Sequence, residues 1–202
     1  MVTNPMLSVG RPDELEQALG LDPITSMRIA AIVVFAARIE FQVEQVIWKL
    51  QGLDPKGVRP KTDAAPISEL IKMLTIEGGK QATPAVRELI ELWCAAAVPA
   101  FECRHNISHG VSVRLGSAIN FLRNPRWSGE ERKRDPSSLW GGSEELSLIR
   151  DAFAVLLRII AGMSADKPLE RLCTPEVTKA LRTARSVTGE FSSNHNPSFE
   201  KY

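Results

Sequence analysis

The densest run of chemically capable side chains in the sequence is Glu102-Cys103-Arg104-His105-Asn106-Ile107-Ser108-His109-Gly110, which holds two of the three histidines. Imidazole exchanges protons near neutral pH, so His105 and His109 are candidates for acid–base work. Arg104 adds a permanent charge and a planar fork of N–H donors, the group best suited to holding a phosphate or another oxyanion. Asn106 can donate or accept beside them. The same residue types have plainer uses, because Arg and His near a helix C-terminus bond its last carbonyls and oppose its negative end. Glu102 and His105 are three apart and His105 and His109 four apart, a spacing that suits a metal on one helical face. A dinuclear centre needs a second such motif, and only Glu40 and Glu44 are available as additions. No metal and no cofactor is therefore expected.

The elements that must position this cluster are mostly helical. Pro follows a capping side chain at Asp22-Pro23, Thr83-Pro84 and Thr174-Pro175, which marks three helix starts. The first long helix is expected over about 23–50. There Ile32, Ala36, Ile39, Val43, Val46 and Leu50 recur at steps of four and three. A second covers 67–76 before Gly78-Gly79. A third runs from Pro84 to about Ser108, with Val86, Leu89, Ile90, Trp93, Ala97, Ala100 and Phe101 inward and a kink or break at Pro99. A fourth spans 144–163, and a short last helix covers 175–186. Between the third and fourth the apolar period changes to two. Val111, Val113 and Leu115, then Gly116-Ser117, then Ile119 and Phe121 form a hairpin signal. The fold class expected is all-α: an antiparallel bundle of four to five helices with a short β-hairpin after the motif helix. Residues 1–186 form one domain with its core over about 23–163, a basic loop covers 123–142, and 187–202 form a disordered tail. Gly110 is expected to end the motif helix in a left-handed conformation.

Arg104, four residues, then His109 resembles the Arg-x4-6-His motif of HEPN domains, with His105 at the position after the Arg. The resemblance extends in helix order and motif position over about 23–163. It implies a metal-independent endoribonuclease in which two copies bring their motifs together, commonly within toxin–antitoxin, abortive-infection or antiviral systems. RNA supplies its own nucleophile, the 2′-hydroxyl, once a base removes its proton. By this resemblance His109 is the general base or acid and Arg104 the phosphate clamp. Asn106 bonds the phosphate or orients His109, and His105 supports. Glu40, on an earlier helix, pairs with Arg104 or orients His105; its plainer alternative is a solvated flank residue. The resemblance also admits a non-catalytic module that dimerises and binds RNA, nucleotide or a partner protein such as an antitoxin. Family members paired with nucleotidyltransferase antitoxins carry a Tyr two residues after the His. This chain has Val111 there, and its one Tyr is Tyr202.

Arg104 and His109 are five residues apart, so on an ideal helix they leave the axis about 140° from each other. Either the helix loosens before Gly110 or two copies share the site.

The composition narrows the field. A net charge of +1 over 202 residues excludes a polycation that binds nucleic acid through bulk charge. Three scattered cysteines are not a disulfide framework. No leader or span is legible, so a cytoplasmic protein with no membrane contact is expected. Charge is nonetheless uneven. Residues 101–134 hold seven basic residues against three acids. Arg123, Arg126, Arg132, Lys133 and Arg134, with Trp127 among them to stack on an unpaired base, are candidate RNA contacts. The alternative is a solvated loop.

Overall fold

A computed structural model describes residues 5–116 and 118–192. The elements are α1 (Pro5–Gly10), α2 (Pro12–Ala18), α3 (Pro23–Gln51), α4 (Ile67–Gly79), α5 (Pro84–His109), β1 (Val111–Leu115), β2 (Ala118–Arg123), β3 (Ser137–Trp140), α6 (Ser143–Ser164) and α7 (Pro175–Ser192), with a 3-10 turn at Leu169–Leu172 before α7. The fold is dominated by helix, with one small antiparallel sheet.

Local chemistry accounts for most boundaries. Asp22 caps α3 by accepting from the Ile24 and Thr25 amides, and the Thr25 hydroxyl that also donates to it, more than these amides, lowers its pKa. Gly52 closes that helix at φ 63. Thr174 caps α7 through the Val177 amide. Thr83 does not cap α5: its hydroxyl donates to Glu170 instead. Pro99 does not break α5, which is helical from end to end.

The core is built from the apolar stripes. Ile32, Ala36, Ile39, Val43 and Val46 of α3 are fully buried, and so are Trp93, Ala97 and Ala100 of α5 and Leu146, Ile149, Phe153, Leu156 and Ile160 of α6. Each large side chain buried this way contributes about 1.5–3 kcal/mol. The Trp93 indole N–H donates to the Leu156 carbonyl, so the one polar atom of that side chain is satisfied in the interior.

Directions are mixed. Phe101 meets Phe153 edge-on while Trp93 meets Leu156, so α5 and α6 run antiparallel. In contrast, Arg28 bonds Ser143 at the starts of α3 and α6, and Lys49 bonds the Met163 carbonyl near their ends. These two helices are therefore parallel, which corrects the expectation of an antiparallel bundle throughout. The physical reason is the connection over 52–66, which crosses the bundle: Gln51 Nε2 donates to Glu77, so α3 and α4 finish at the same end and the next helices alternate from there.

Two further corrections concern β3 and α7. The stretch 125–142 is not all loop, because Ser137–Trp140 pairs with β2, Phe121 opposite Leu139 and Arg123 opposite Ser137. Nor is 187–192 a tail: α7 continues to Ser192, with Thr188 fully buried and its carbonyl meeting the Cys103 thiol. The rest of that expected tail, 193–202, lies outside the described residues, as do His195, Tyr202 and Ser117 of the hairpin turn. Gly116 enters that turn at φ 65, the region a two-residue hairpin loop needs. Among the described residues no single helix is long and apolar enough to cross a membrane.

Candidate functional site

The polar cluster occupies the last two turns of α5, where the helix meets the sheet. Gly110 follows it in an extended conformation, φ −81 and ψ 150, not the left-handed one expected. Glycine is needed there for space. A Cβ would lie 2.4 Å from the Asn106 carbonyl oxygen and 3.1 Å from Phe121 Cβ. Gly110→Ala is therefore expected to push α5 off β2 and cost about 1–3 kcal/mol, read as a lowered melting temperature.

The inner face of the sheet grips α5 through two polar contacts. Ser137 Oγ donates to Asn106 Oδ1 at 3.1 Å, and Arg123 pairs with Glu102. Both use residues assigned above to RNA. Asn106 is 0% exposed, so it anchors β3 and does not reach a phosphate. Its Nδ2 and the Arg123 Nε are buried without a hydrogen-bond partner. Arg123 is spent on Glu102 with its side chain 18% exposed, so it is not a free surface cation. The pairing also turns Glu102 away from a metal-ligand role. Among the described residues no three His, Cys, Asp or Glu side chains converge to hold a metal.

His105 and His109 sit together on α5, about one and two turns beyond Glu102. Their ring centroids are 4.5 Å apart with planes inclined at 59°. His109 is exposed and His105 half-buried. Burial pushes the His105 pKa below its ordinary 6.5, and the charges of Arg123 and His109 push the same way. His105 is thereby held as the neutral imidazole, the form that accepts a proton, at neutral pH.

Arg104 is half-buried, and its Nε is buried without a partner. Glu40 is half-buried on α3, and no ion pair or hydrogen bond joins it to Arg104 or His105 among the described residues. The pairing expected of Glu40 is not formed. Since α5 stays helical through His109 and the Gly110 amide bonds back to the Asn106 carbonyl, the helix does not loosen to bring Arg104 round to His109.

The basic loop divides. Arg132 is 3.3 Å from Glu130 and Arg126 4.0 Å from Asp135. Lys133 and Arg134 are exposed and carry no acid partner among the described residues, and Trp127 is 66% exposed. Arg185 of α7 joins Lys133 and Arg134 in lining one groove. No local signal marks it, because only the packing of α7 on α5 brings it there.

No family model matches the chain, and no curated protein or solved structure does either.

Proposed function

We propose that this chain is a metal-independent endoribonuclease of the HEPN type, working as a homodimer. The observation that carries the reading is the His105–His109 pair, two imidazoles in ring contact at the open end of α5, one of them held neutral. Strand scission by an internal nucleophile needs two proton transfers and charge stabilisation. A neutral imidazole, His105 by its depressed pKa, takes the 2′-hydroxyl proton as that oxygen attacks the adjacent phosphorus. His109, when protonated, gives a proton to the departing 5′-oxygen. Arg104, from a second copy, faces the phosphorane, whose negative charge exceeds that of the bound phosphate. The products are a 2′,3′-cyclic phosphate and a free 5′-hydroxyl, and nothing beyond these three side chains is needed for proton balance.

Incubation of the purified protein with a labelled RNA in EDTA tests the reading. Cleavage leaving 2′,3′-cyclic ends supports it; intact RNA contradicts it. The pH profile adds a finer check. The acid limb of kcat/KM should lie below 6.5, where a depressed His105 loses its base form. Arg123→Gln removes a positive charge from beside His105 and frees Glu102 to favour the imidazolium, so the limb should move to higher pH. An unmoved limb would assign it to another group.

A second reading is a non-catalytic module that docks on a partner protein or a second copy. It rests on α3, where Met27, Val34 and Phe41 repeat every seven residues and are 62%, 63% and 48% exposed. Such a stripe suits a helical partner. Under that reading the His109→Ala variant keeps all of the protein's function.

A further inference from the structure

We propose that the groove between α5, the loop before β3 and the end of α7 is the track that holds the backbone of single-stranded RNA beside the histidine pair, with Arg185 its principal contact from α7. The proposal rests on the endoribonuclease reading and names where its substrate lies.

The groove has a volume of about 960 Å³. Lys133 and Arg134 line it from the loop and Arg185 from α7. None of the three has an acid partner among the described residues. Two acids also line it: Glu102, which holds Arg123, and Asp135, whose exposed carboxylate lies 4.0 Å from Arg126. Three unpaired cations contributed by two separate segments make a site for a multiply charged anion, and spacing along a strand suits them better than a single phosphate does.

Ala95 and the buried Pro99 of α5 form the floor of the groove. The position fits as well: Glu102, at the end of the groove, lies one helical turn before His105 on the same side of α5.

The test is binding, kept separate from cleavage. Fluorescence anisotropy of a labelled 2′-O-methyl RNA oligonucleotide, which keeps the phosphates but has no 2′-hydroxyl to attack, reads the groove alone. Arg185→Glu and the pair Lys133→Glu with Arg134→Glu should each weaken binding about tenfold or more. The slope of log affinity against log salt should fall by about 0.7 per lost contact. Arg185→Gln should do so less, and Arg158→Glu, on the exposed side of α6, not at all. Unchanged melting temperatures keep the comparison clean. Wild-type affinity retained by the groove variants overturns the track even if the protein cleaves RNA. Loss on those variants in a protein that never cleaves supports the track and defeats the catalytic reading. Absence of binding by the wild type overturns the track. Inorganic polyphosphate competing as well as RNA overturns the assignment to RNA in favour of a general polyanion site.

Discussion

His109→Ala is expected to lower the rate of RNA cleavage by about 10²–10⁴-fold with no measurable change in melting temperature. The size is that of removing one positioned proton-transfer group. The lack of a stability cost follows from the location: His109 is exposed on the last turn of α5, its ring against that of His105. A residue holding the helix end in place would behave oppositely, with a falling melting temperature and activity lost in proportion to unfolded protein. Asn106→Ala is the useful contrast. Asn106 is fully buried and holds Ser137, so its loss acts on stability. Parallel melting curves and cleavage rates for the two variants separate chemistry from scaffolding.

The second large effect concerns Arg104. Alone, Arg104→Ala should reduce cleavage by about 10²–10³-fold, the range for removing one group that stabilises a developing oxyanion. Mixed with His109→Ala, it should recover. In a shared site, Arg104 of one copy acts with the histidines of the other. A mixed dimer of Arg104→Ala with His109→Ala then has one site in which both members are damaged and one in which both are intact. Activity should return to a substantial fraction of wild type on mixing two nearly inactive proteins. If Arg104 and His109 of the same copy work together, every site in the mixture is damaged and nothing returns. The geometry favours exchange, because an unbroken helix sends the two side chains out about 140° apart.

Much of the scaffold was legible before the structure. Long amphipathic runs carry many repeats of the same signal, so the seven residues of α5 expected inward, Val86 to Phe101, are all buried. What escaped was decided by partners distant in sequence. β3 is four residues with little alternation, and it exists because Phe121 and Asn106 give Leu139 and Ser137 something to pair with. The last turns of α7 look polar, yet Thr188 is sealed against Cys103. In β1 the alternation located a strand without fixing its inner face. Ser112 and Arg114 lie opposite the buried Phe121 and Ile119, while Val111 and Leu115 are about half exposed. At the site, residue type and spacing found the histidine pair. They failed for Asn106 and Arg123, whose donors and acceptors are consumed by Ser137 and Glu102. Arg185 was invisible for the converse reason: a lone Arg on a helix becomes interesting only when another segment closes a groove beside it.

The central claim is that this chain makes the 2′-hydroxyl of RNA cut its own strand with His105, His109 and Arg104. The most direct measurement sets matched RNA and 2′-O-methyl RNA side by side in EDTA, each with wild type and with His109→Ala. The account predicts cleavage of RNA alone, by the wild type alone, with 2′,3′-cyclic phosphate ends. Cleavage of the 2′-O-methyl strand, equal cleavage by His109→Ala, or no cleavage by a well-folded wild type would contradict it.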